Sequence, residues 1–89
     1  MSLYEFLKEN NYQCVCCMSK NNLNVHHIKP FHLYPELELD KNNLLILCEN
    51  RILNCHYVVG HCFDWTAYNP DVIIDANKIK ISIQNRLYK

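Results

Sequence analysis

The spacing of hydrophobic positions changes along the chain, and each change marks an element. Ser2-Leu3-Tyr4-Glu5 carries a capping-box pattern, and Leu3, Phe6 and Leu7 then share one face, which predicts a short helix over residues 3–10 ended by Asn10-Asn11. Over residues 23–28 Leu, Val and Ile alternate with polar residues, the pattern of a half-buried strand, and Pro30 stops it. Residues 31–42 are interrupted by Pro35 and scattered acids, so an irregular loop is expected, packing Phe31, Tyr34, Leu37 and Leu39 inward. The apolar run 44–47 predicts a second, fully buried strand. After a polar excursion, Asn54 is placed to cap a short helix beginning at Cys55, which Gly60 ends or bends. Asn69-Pro70-Asp71 supplies an N-cap, a proline at the first helical position and an acid in the first turn, predicting a C-terminal helix over about 70–87. Val72, Ala76, Ile79, Ile83 and Leu87 share a helical face, yet residues 78–83 alternate like a strand, so the last dozen residues read both ways.

No repeat or low-complexity segment divides the chain, and its single glycine excludes a Gly-rich linker or phosphate-cradling loop. One domain over residues 1–89 is expected. A domain of this size buries only about 60–65% of its unfolded surface, so its core alone is marginal and a staple is needed. Six cysteines and five histidines can supply one. Cys14-Val15-Cys16-Cys17 contains a Cys-x-x-Cys pair, whose spacing lets a tight turn present Cys14 and Cys17 to one tetrahedral zinc, and Cys48 with Cys55 can complete a four-cysteine site. The second pair is separated by six residues where two are usual, and Cys16 and Cys62 stand as substitutes for one of the four.

Nothing at the N-terminus resembles a basic region followed by an apolar one, so a cytoplasmic, intracellular protein with reduced thiols is expected, phage or mobile-element genes being among the sources. No apolar run is long enough to span a bilayer. Nine Lys and Arg balance nine Asp and Glu, which removes the global attraction that draws basic proteins to phosphates. Affinity for a nucleic acid would then come from a local basic surface, bound metals, a homodimer or a partner protein.

Val25-His26-His27-Ile28-Lys29-Pro30, then Asp40-Lys41-Asn42-Asn43-Leu44 running on to Leu47-Cys48, then Cys55-His56, with the Cys pair ahead of them, form an ordered set. Over residues 14–62 this order resembles the HNH endonucleases. The resemblance implies an α+β fold: a small zinc-stabilised ββα-metal domain, treble-clef-like, with flanking helices. It implies that His27 is the general base that deprotonates the attacking water, that His26 and His56 ligate a catalytic divalent cation, and that Asn43 orients His27 through the nearby backbone. His61 follows His56 by five residues where a related arrangement uses four, and it is a further candidate ligand. The implied reaction is hydrolysis of phosphodiester bonds in DNA, with structural Zn2+ at the cysteines and Mg2+ or Mn2+, or else Ni2+ or Zn2+, at the catalytic position.

Blander uses compete for the same residues. A histidine beside Ile and Val is often a hydrogen-bonded core residue, and His32 reads that way; Trp65, Tyr57 and Tyr68 can stack on bases but read better as packing under the C-terminal helix. Lys29 and Arg51 are candidate backbone contacts or plain surface charges. The alternative function is a non-catalytic treble-clef zinc module binding nucleic acid or protein. It would need the cysteines but not His26, His27, Asn43 and His56.

Overall fold

The computed structural model describes residues 2–87, without the side chain of Leu87; Met1, Tyr88 and Lys89 lie outside the described residues. Helix α1 spans Leu3–Glu9, strand β1 Leu23–His27, strand β2 Leu44–Cys48 and helix α2 Val72–Leu87. Single 3₁₀ turns occupy Pro35–Leu37 and Lys41–Asn43, and a π-helical turn occupies His56–Gly60.

Helix α1 is short enough to depend on its cap, which the Ser2 hydroxyl supplies by accepting from the Glu5 amide at 3.1 Å. Its one buried side chain, Phe6, packs against Leu44 and Ile46. Strands β1 and β2 pair antiparallel, with Leu23 opposite Cys48 and His27 opposite Leu44. β1 is half-buried as expected, but its one buried side chain is His26, on the polar side of the alternation; β2 is buried at every position but the half-buried Leu45. The larger core gathers Cys14, Cys16, Leu47, Cys48, Cys55, Val59, Val72 and Ala76, so sulfur occupies the place where a bigger domain would put aliphatic side chains. The result is a small α+β fold in which two strands and a helical turn surround a four-cysteine cluster, as expected.

Asn54 does cap the turn after it, its side-chain oxygen accepting from the Tyr57 amide at 2.9 Å. The ambiguous residues 78–83 are helical, within α2. That helix starts two residues later than its signals suggest, because Asn69 Oδ1 accepts from the Asp71 amide and Asn69 O from the Val72 amide, closing a turn around Pro70 first. Val72 and Ala76 are buried and Ile79 and Ile83 half-buried, while Leu87, assigned to the same face, lies outside the described side chains.

The loop before β2 corrects one expectation. Tyr34 and Leu37 turn partly inward, but Phe31 and Leu39 remain 49% and 47% exposed. Backbone bonds of the two 3₁₀ turns and the Asn43 side chain hold this loop in place of apolar burial. Among the described residues no helix is long and apolar enough to cross a membrane.

Candidate metal centres and active site

The first cluster is built on a tight turn. The Cys14 amide donates to Ser19 O at 2.8 Å, Met18 N to Cys14 O at 3.0 Å, and Val15 N to Ile46 O at 3.0 Å, which ties the turn to β2; Met18 closes it at φ 66°. Cys14 and Cys17 thereby face Cys48 at the end of β2 and Cys55 at the start of the π turn. All four sulfurs lie within 4.8 Å of one another, and Cys17 Sγ is 3.5 Å from Cys48 Sγ. Zinc–sulfur bonds of about 2.3 Å would set tetrahedral sulfurs about 3.8 Å apart. The four cysteines are therefore positioned to form a metal site, and the six-residue gap loops out without separating its ends. Cys16 is buried beside this cluster but is not one of the four, and Cys62 is exposed. As bare thiols the group is crowded: the Cys55 thiol, followed by burial, pushes the Cys14 pKa up to about 12, and burial pushes Cys17 up to about 11. A cation would reverse that preference by favouring thiolates.

The second cluster sits where β1 meets the π turn. His26, His56 and His61 converge, each offering a nitrogen within 4.8 Å of the others. His56 Nε2 is 3.1 Å from His26 Nδ1 and 3.2 Å from His61 Nε2. The outer nitrogens decide what these contacts are. His56 Nδ1–H donates to Glu49 Oε1 at 2.8 Å, and His61 Nδ1–H donates to the Ala67 carbonyl at 2.8 Å. Both partners only accept, so the two Nε2 atoms of the neutral rings carry lone pairs. Lone pairs held 3.2 Å apart repel unless a cation lies between them. Metal–nitrogen bonds of about 2.0–2.1 Å place neighbouring nitrogens roughly 3.0–3.4 Å apart, so the residues fit a divalent ion.

The five-residue spacing of His56 and His61 has a structural reason. An α-helical turn brings residues four apart onto one face, whereas a π turn does so for residues five apart, and His56–Gly60 is π-helical. The chain then reverses through Cys62 and Phe63 at φ 53° and 64°, an uncommon conformation for side-chain-bearing residues that is held by Phe63 N donating to Tyr57 O. Gly60 sits at a close approach. A Cβ there would lie 3.1 Å from His26 Cε1 and 3.2 Å from Leu47 Cδ1.

Burial, then the neighbouring His56, His61 and His27, push the His26 pKa down to about 3. Burial also lowers His56, against the opposing pull of Glu49. Both rings are thus kept neutral, the form that binds metals. His26 Nε2 is buried without a partner.

His27, next on β1, lines the same cavity of about 530 Å³ as the three-histidine cluster. Its Nε2–H donates to Glu38 O at 2.9 Å, which leaves Nδ1 with a free lone pair. Asn43 is placed by the Asp40-capped turn, where Asp40 Oδ1 accepts from the Asn42 amide and Asp40 O from the Asn43 amide. The Asn43 side chain accepts from Lys29 N at 2.8 Å and donates to Lys29 O at 3.1 Å and Leu37 O at 3.4 Å. It clamps the end of β1 to the loop that carries Glu38 and does not touch His27 itself.

Sequence reasoning missed Glu49 and misplaced Trp65. Glu49 Oε1 accepts from both His56 and Asn24 Nδ2, and Trp65 packs against His56 and His61 with ring centroids 5.1 and 4.9 Å away, not under α2. The position of Glu49 directly after Cys48 was the one available hint. His32 is exposed at the cavity rather than bonded in the core. Lys29 rests over the Tyr34 ring at 5.2 Å from its centroid.

No curated protein and no solved structure matches the chain. The family model described as HNH endonuclease matches residues 14–60, more than half of the 89, a span that includes both clusters except His61. With its cysteine quartet and its strand-borne histidines in that family's order, the chain belongs to the HNH endonuclease family.

Proposed function

We propose that this protein is a metal-dependent endonuclease that hydrolyses phosphodiester bonds in DNA. The observation that carries the reading is the approach of His56 Nε2 and His61 Nε2 to 3.2 Å, with the Nδ1 of each ring on an acceptor, Glu49 and the Ala67 carbonyl. His26, His56 and His61 would hold a divalent cation, Mg2+ or Mn2+ being the expected occupants, and the four cysteines a structural Zn2+. When bound, the divalent cation supplies positive charge against the negative charge that builds on the phosphate and the leaving oxygen.

His27 takes the proton. Its Nε2–H is committed to Glu38 O, so Nδ1 is the atom that accepts a proton from the attacking water, and the Glu38 carbonyl stabilises the ring as it becomes positive. Asn43 is a positioning residue, since it fixes the Lys29 backbone and the loop that presents Glu38. The open side of the cluster leaves room for substrate oxygens, in contrast to a closed four-ligand structural site.

Replacement of His27 by Ala tests this. Divalent-dependent plasmid nicking should fall by at least 100-fold, a typical general-base contribution, with zinc content and circular dichroism unchanged. Undiminished nicking by a folded, zinc-loaded variant would refute the assignment.

A further inference from the structure

The cavity that holds His27 and the three-histidine cluster has a lining unusual for a phosphate-binding surface. Among the described residues around it none is Lys or Arg, and the chain as a whole is neutral. Its other lining includes Phe31, Trp65 and Tyr68, which are 49%, 53% and 38% exposed. Trp65 is held from beneath by Tyr57, with ring centroids 4.9 Å apart, and lies about 5 Å from His56 and His61, so a large aromatic surface stands immediately beside the converging nitrogens. A regular duplex keeps the faces of its bases stacked inside and offers such a surface charged phosphates, sugars and the base edges in its grooves. An unpaired strand offers bases, each with a face that stacks on an aromatic ring whatever its sequence.

We infer that this cavity takes an unstacked nucleobase next to the scissile phosphate, and that the protein engages single-stranded or locally melted DNA in preference to intact duplex. A volume of about 530 Å³ has room for one nucleotide beside the histidines. Stacking replaces the missing electrostatic attraction, so affinity is sequence-tolerant and depends less steeply on salt than that of a basic DNA binder. The inference rests on the nuclease reading for its location, but its test is a binding measurement.

Trp65 is the only tryptophan, so its emission reports directly on the cavity. The zinc-loaded full chain carrying His27→Ala, which removes the proposed base, is titrated with a mixed-sequence single-stranded oligodeoxynucleotide and, separately, with a hairpin duplex of the same length. Single strands should quench Trp65 and bind about tenfold more tightly than the duplex. Adding Tyr68→Ala or Phe31→Ala, both at exposed side chains, should weaken single-strand binding severalfold and leave duplex binding unchanged. Equal or tighter binding of the duplex overturns the inference, as does single-strand affinity that neither substitution changes. Cleavage of duplex by the wild type without single-strand preference would sink this inference alone; tight single-strand binding with no metal-dependent cleavage by the wild type would sink the nuclease reading alone.

Discussion

The four sulfurs and the three imidazoles are within a few residues of each other at Cys55 and His56, yet their surroundings differ in kind. Cys14, Cys48 and Cys55 are at most 1% exposed, and the cluster is enclosed by the apolar side chains it helps to bury. The imidazoles instead line an open cavity, and the outer nitrogens of His56 and His61 are anchored by a carboxylate and a backbone carbonyl, while that of His26 has no partner. The four cysteines could supply every ligand of an ion from the protein. On the proposed reading the three histidines would leave part of an ion's coordination to whatever enters. His26 is itself buried and Cys17 half-buried, so the difference lies in access to the cavity and in the chemistry of the donors.

The sharpest way to break that contrast is to remove a ligand from each. Structural zinc sites contribute roughly 10–16 kcal/mol in small modules, as much as or more than the ~5–15 kcal/mol net stability of a typical domain. Cys48→Ser should therefore abolish cooperative thermal unfolding, whereas His56→Ala should retain it; a folded Cys48→Ser variant would collapse the distinction. A smaller effect is expected at Glu49. Glu49→Gln weakens the acceptor that fixes the His56 tautomer, and divalent affinity measured by calorimetry should fall about 10–100-fold while zinc remains bound. Unchanged affinity would mean that the Glu49 contact orients nothing.

Acid should act through His26. Its pKa is depressed from the ordinary 6.5 to about 3, so between these values the unfolded chain binds a proton that the folded one refuses. Its contribution to stability is complete above about pH 6.5 and is lost progressively as pH falls toward 3. Metal-free at the histidine cluster, the wild type should lose melting temperature relative to His26→Gln over that window; parallel curves would contradict the burial argument. Gly60→Ala is the mildest change, pressing a methyl against His26 and Leu47 at a cost of about 1–3 kcal/mol. Its melting temperature should drop without loss of zinc.

What could be read from the sequence followed a simple physical division. Cys14, Cys17, Cys48 and Cys55 announce themselves because zinc chemistry restricts residue type and spacing, whereas His26, His27 and His56 stand out only through the resemblance to the HNH endonucleases. Asn43 was legible through the resemblance, which implies a bond to the backbone near His27, and its partners are the Lys29 backbone and Leu37 O. Glu49 and the Glu38 carbonyl were hidden, and so were the neighbours of Trp65, since what each does depends on chain segments meeting in three dimensions. Phe31 and Leu39 misled for the opposite reason: apolar residues in a loop suggest burial, but backbone bonds already hold this one and leave them outside. Residues 78–83 became helix because Val72 and Ala76 upstream had a core to enter.

The π turn at His56–Gly60 carries an implication for how such centres tolerate changes of length. A single residue gained between two ligands on an α-helix would swing the second by about 100° and destroy the site. If the extra residue is taken up by widening one turn, the ligands keep their direction and the helix changes pitch instead. In this chain His56 and His61 stand five residues apart and their Nε2 atoms still meet at 3.2 Å.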